Sequence, residues 1–221
     1  MLFDRNDFLV RPDPAGVFQP HRVEAYYFGI AGDGHMGRVN VNNAFYWVTG
    51  RDSLNPIGGQ SLNINAFMAA LEISYDRDWA RFRASIFWAS GDDNPNDNDG
   101  EGFDAIMDNP LFAGGEFTYW QRQAIQLFGV RLVNDRSLVP NLRSSKTQGQ
   151  SNFTNPGLFL FNLGFDADIT PKLRLIANVN YLMFDETEVL RTFTFQGDIS
   201  KEIGLDLSVG FEYRPFHNDN M

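Results

Sequence analysis

Ile203-Gly204-Leu205-Asp206-Leu207-Ser208-Val209-Gly210-Phe211-Glu212-Tyr213-Arg214 alternates without a break between an apolar residue and a small or charged one. An extended strand sends successive side chains to opposite faces, so this stretch predicts a strand with one oily face and one polar face. A soluble sandwich strand alternates in the same way. Twelve residues, however, exceeds the usual strand of about 5 to 6 residues and approaches the roughly 9 to 11 that cross a bilayer at a tilt. Tyr213 and Phe216 add an aromatic fringe at one end, as at a membrane interface.

The same period recurs along the chain. Val39, Val41, Phe45 and Trp47 oppose Arg38, Asn40, Asn42 and Tyr46 within 36–49. Phe67, Ala69, Leu71, Ile73 and Tyr75 oppose Met68, Ala70, Glu72 and Ser74. Phe82, Ala84, Ile86 and Trp88 oppose Arg81, Arg83 and Ser85 within 80–89. Periodicity returns at 158–168 and at 173–185, where Leu173, Leu175, Ala177, Val179, Tyr181 and Met183 oppose Arg174, Asn178 and Asn180. The segment 21–31 is a strand by content without clearly separated faces. Seven strands are readable, and the segment between Ala89 and Leu158 must hold none or an even number.

Connections fall into two classes. Short turns are expected at Gly32-Asp33-Gly34, Asp76-Arg77-Asp78-Trp79, Ile169-Thr170-Pro171-Lys172 and 215–220. Longer polar connections lie at 51–60, 91–157 and 185–200. Short turns at one end and long loops at the other are the asymmetry of an outer-membrane barrel. The expected fold is therefore all-β, an antiparallel transmembrane β-barrel of outer-membrane type, with 1–221 as one domain and 91–157 as a long extracellular loop region. An odd strand count and a final turn leading onward predict that these strands are part of a larger barrel, since bacterial single-chain barrels close with an even number. Residues 1–20 lack a charged segment followed by an apolar one, so the expectation is a mature or truncated piece of an exported chain.

Composition agrees. Among 221 residues there are 21 Phe, 20 Gly and no Cys, and the net charge is -10. Frequent aromatics suit strands, and no apolar run approaches the ~18 residues of a helical span. The acidic balance excludes nucleic acid as a partner, because phosphate backbones would be repelled. No catalytic residues are signalled: His21, His35 and His217 have no metal-ligand spacing, and no serine is paired with a base. The acidic run Asp92, Asp93, Asp97, Asp99, Glu101, Asp104 and Asp108 invites calcium. Asp97-Asn98-Asp99-Gly100 looks like part of an EF-hand loop, but the position two before Asp97 is Pro95 and the closing bidentate acid falls on Ile106. Asp97, Asp99 and Glu101 remain candidates for irregular calcium binding, against a solvated loop or gate; no other cofactor is expected.

On the lumen side, Arg38, Arg81, Arg83, Arg174 and Arg214 are interspersed with Glu72, Asp166, Asp168 and Glu212. These are the candidate pore-lining residues. Either the arginines form a ring that attracts anions, or the charges pair into a ladder that stiffens the wall. Trp47, Trp88, Tyr75, Trp79, Tyr181 and Tyr213 sit near strand ends, as an interfacial girdle or as core.

Trp88-Ala89-Ser90-Gly91-Asp92-Asp93, Gly102-Phe103-Asp104, Asp108-Asn109-Pro110-Leu111-Phe112-Ala113-Gly114-Gly115 and 178–184 resemble the alginate-export family of outer-membrane barrels and its porin-like relatives. The resemblance implies a porin in a Gram-negative outer membrane, in contact with membrane lipid, that passes an anionic solute or polysaccharide by passive diffusion or export. Two rival expectations are a barrel sleeve around a partner protein, for example a haem protein, and a soluble β-sandwich carbohydrate-binding module.

Overall fold

The computed structural model describes residues 2–12, 18–54, 60–105, 112–118, 126–127, 130–131 and 153–215. Eight long strands follow one another: β1 Leu2–Pro12, β2 Phe18–Met36, β3 Val39–Asp52, β4 Leu62–Arg77, β5 Ala80–Ala89, β6 Leu158–Thr170, β7 Leu173–Met183 and β8 Glu202–Tyr213. Each pairs antiparallel with the next in chain order, so the sheet is a meander. The two-residue strand Asp99–Gly100 adds beside β4 in parallel. β5 pairs directly with β6, so the long excursion between them inserts no strand between these two. β1 and β8 are the two edges, and the sheet is not closed.

The all-β reading holds, with several corrections. β1 is an eighth strand that the alternation did not reveal. Gly32-Asp33-Gly34 is not a turn: β2 runs on to Met36 and reverses at Gly37 and Arg38. Residues 185–200 contain a helix, α1, Glu188–Thr194. Ile203 does not share the face of Leu205. A bulge opposite Leu182 and Met183, with Gly204 at φ 133°, turns Ile203 toward the core. A bulge adds one residue to a strand, and one residue reverses the faces. The expected turn at 215–220 and the fringe residue Phe216 lie outside the described residues, apart from Pro215.

One face of the sheet is apolar and open. Leu205, Leu207, Val209, Phe211 and Tyr213 are 66, 69, 70, 63 and 66% exposed, and Phe45, Ile73, Phe82, Ile86, Phe161 and Leu163 are exposed on the same side. The other face carries the core and is zoned. Its loop-side half is apolar: Ala31, Ala44, Ala70, Phe87, Leu160 and Leu182 form one row across six strands. Phe103, Ala105, Phe112, Phe153, Phe184 and Leu190, all from the long connections, belong to the core cluster against this half. The next row toward the turns is polar throughout: Asp33, Asn42, Glu72, Ser85, Asn162, Asn180 and Asp206.

Register also reveals a stagger. Val39, which starts β3, pairs with Tyr75, two residues before β4 ends at Arg77. Ala80, which starts β5, pairs with Ala167, three residues before β6 ends at Thr170. Successive turns thus step along the sheet in one direction, as strands do when tilted in a barrel wall.

Candidate functional site

Side-chain hydrogen bonds run along the polar row in two stretches, Asp33 to Asn42 and Glu72 to Asp206. Asn42 Nδ2 donates to Asp33 (3.1 Å), Ser85 Oγ donates to Glu72 Oε2 (2.7 Å) and bonds Asn162 Oδ1 (3.3 Å), Asn162 Nδ2 donates to Asn180 Oδ1 (2.7 Å), and Asn180 Nδ2 donates to Asp206 (3.4 Å). Period two places these residues on one face, and antiparallel register places them opposite one another. Buried amides and carboxylates persist only when they are satisfied in this way.

Toward the turns lie the charges. Arg83 and Asp166 are nearly buried and meet at 2.9 Å; Arg174 reaches the other Asp166 oxygen at 3.4 Å and Asp168 at 3.9 Å. Two guanidinium groups therefore share one buried carboxylate. Arg83 lies flat across Gly164, where a Cβ would come 3.0 Å from its Nε, and so reaches Asn178 Oδ1 at 3.1 Å. Arg81 pairs with Asp76, Arg214 with Glu212 at 2.9 Å, and Arg38, in the first turn, with Asp78 at 3.5 Å. All five candidate arginines are engaged by a carboxylate. Paired in this way, the charges cancel much of the field that would attract an anion.

The remaining candidate, Glu72, has a different role. Its Oε2 accepts the Ala113 N–H at 2.9 Å as well as the Ser85 hydroxyl. Ala113 belongs to a 3-10 turn, Phe112–Phe117, lying on the inner face of β5 to β8. Phe112 meets Phe87 edge-on at 6.3 Å, and a Cβ on Gly114 would come 2.4 Å from Asn178. Sequence reading did not find this contact. The only signal was the Gly114-Gly115 pair, which allows close backbone approach.

The acidic connection is a packed cap rather than a solvated loop. Tyr27 donates to Asp104 O at 2.8 Å, Phe103 N to Ser90 O at 2.9 Å, and Asp92 N to Asn155 O at 2.8 Å. Asp92 and Asp104 are buried, while Asp93 and Asp99 are exposed. Asp92 Oδ1 accepts from Asn94 N, and among the described residues the buried Oδ2 meets no hydrogen-bond donor. Burial pushes the Asp92 carboxyl up to about 7, reinforced by the nearby charges of Asp97, Glu101 and Asp93. Burial likewise raises Glu101. Asp97 instead accepts the Asp99 N–H in a local turn. Among the described residues no three His, Asp or Glu side chains gather into a metal site, so Asp97, Asp99 and Glu101 do not assemble as a calcium cage. Asp108 lies outside the described residues.

Of the expected girdle, Trp47, Tyr75, Trp79 and Tyr213 are exposed, and Trp88 and Tyr181 are half-buried. On the open face loopward of Trp47 the residues turn polar, with Asn65 accepting from the Trp47 indole at 2.9 Å. No protein-family model matches the chain, and no curated protein matches it.

Proposed function

We propose that this sheet is a section of the wall of an outer-membrane β-barrel that gives polar solutes a passive route across the membrane, past an inward-folded loop. The observation that carries the reading is the exposed apolar face, which spans the sheet opposite a face bearing the core and the polar row. In water such a face would be a large exposed patch; in lipid it is ordinary. Placing the turn tips in one plane requires the strands to tilt by roughly 35 to 40°, from a stagger of about one residue per strand. At that tilt the apolar run from Phe67 to Tyr75 on β4 stands roughly 21 Å tall and that from Leu173 to Met183 on β7 roughly 26 Å.

Open edges are not tolerated in hydrocarbon, so in this reading β1 and β8 pair with further strands. Closing these eight on themselves would leave an interior that side chains alone fill, with no space for the Phe112–Phe117 turn. The barrel accordingly has more than eight strands. The paired arginines favour a wall ladder over an anion filter.

The test is reconstitution. Migration as a heat-modifiable band and steady conductance in planar bilayers are expected, with little or no anion preference in a salt gradient. A protein that stays in solution without detergent and never conducts would overturn the reading.

A further inference from the structure

We infer that Glu72 is the latch of an internal stopper, residues 112–118, and that this single carboxylate sets the width of the passage. The inference rests on the channel reading for its consequence, and on geometry alone for the latch. Glu72 stands where the inner face changes from apolar to polar, with Ala70 on one side and Ser74 on the other. Like its neighbours along the row it is bonded side chain to side chain, through Ser85, but the same oxygen also accepts a backbone N–H of the excursion.

The stopper is shaped to receive that bond. Ala113 (φ 49°), Gly114 (φ 86°) and Gly115 (φ 51°) are successive left-handed residues, a conformation that an alanine adopts only at a cost. Thr118 closes the turn by donating both its N–H (3.1 Å) and its hydroxyl (2.6 Å) to Gly115 O. On the wall side the turn meets a ring edge at Phe87 and the Asn178 amide beneath Gly114. Among the described residues, the bond from Ala113 to Glu72 is the one that ties 112–118 to an acidic side chain of the sheet, and bonds to charged acceptors are the strong ones. Losing the acceptor leaves the buried Ala113 N–H unsatisfied, in a turn whose left-handed backbone favours release.

The experiment compares Glu72→Ala and Glu72→Gln in the full chain, with hydrogen exchange at 112–118 and conductance as separate readouts. Glu72→Ala is expected to speed exchange there by roughly ten- to hundredfold while β4 and β5 stay protected, and to raise conductance or its fluctuation. Glu72→Gln, which keeps an acceptor oxygen, is expected to retain at least part of the protection. Unchanged exchange in both variants overturns the latch. Accelerated exchange without conductance in any protein, parent included, upholds the latch and removes the channel reading. If Glu72→Ala does not fold, Glu72→Leu, which also lacks the acceptor but keeps the side-chain bulk, takes its place: faster exchange at 112–118 upholds the latch, and unchanged exchange overturns it.

Discussion

Substituting Val209 by arginine asks directly what medium touches the open face. Val209 is 70% exposed. In water an exposed substitution of this kind changes stability by no more than about 0.5 kcal/mol. In a bilayer the answer depends on depth. Leu205 and Tyr213 bracket the apolar run of β8, each four residues from Val209. Four residues rise about 13 Å along a strand, or roughly 10 Å along the normal at the proposed tilt, which puts Val209 near the midplane. Arginine there costs about 2 to 4 kcal/mol, and arginine at Tyr213, at the band edge, about 0 to 1 kcal/mol. The expected difference between Val209→Arg and Tyr213→Arg is thus about 2 to 3 kcal/mol, measurable by reversible urea unfolding from phospholipid vesicles with the heat-modifiable band as readout. Equal, small effects at both positions would refute the lipid assignment, whatever the conductance.

Three further outcomes follow from the inner face and the cap. Asp166→Ala removes the one buried carboxylate shared by Arg83 and Arg174 and is expected to cost about 3 to 5 kcal/mol; adding Arg83→Met should recover part of it in urea titration. Gly164→Ala is expected to destabilise and to detach Arg83 from Asn178, because the new methyl would lie 2.9 Å from Asn178 Oδ1 and 3.0 Å from the guanidinium; the change would register as a lower urea midpoint. Asp92 is held protonated up to about 7 when the cap is packed, against about 3.9 when it is not. The packed cap thus binds the extra proton between those values. Its stability is complete below about pH 4, falls as pH rises toward 7 and is level above. Protection factors at 91–104, taken relative to intrinsic exchange at each pH, should therefore fall from pH 4 to 7, and Asp92→Asn should flatten that dependence.

Where side chains alternate cleanly, the chain is readable without coordinates. β5 occupies the expected 80–89, and the two faces of β4, β6 and β7 divide as their period requires. β1 escaped because its sequence runs Asp4-Arg5-Asn6-Asp7 and then Phe8-Leu9-Val10, with a register shift between Asn6 and Leu9 that interrupts period two. The Gly32-Asp33-Gly34 stretch carries turn residues, yet its glycines sit in paired strand, and the reversal falls at Gly37 instead. That Arg81, Arg83 and Arg174 share the face of the polar row was legible, but not their partners, since Arg83 reaches Asp166 across 83 residues of sequence. The Glu72–Ala113 contact was least accessible of all: it depends on how a long excursion folds back, which no local pattern encodes.

The polar row from Asp33 to Asp206 runs at right angles to the strands, and that fixes what it can be. With the turn tips in one plane, a line perpendicular to tilted strands climbs as it crosses them, by roughly 17 Å over the six steps from β2 to β8. The row is a ramp, not a belt. On the channel reading proposed above, a solute would meet Asp33, Glu72 and Asp206 one after another, so substitutions along this one row would sample successive depths.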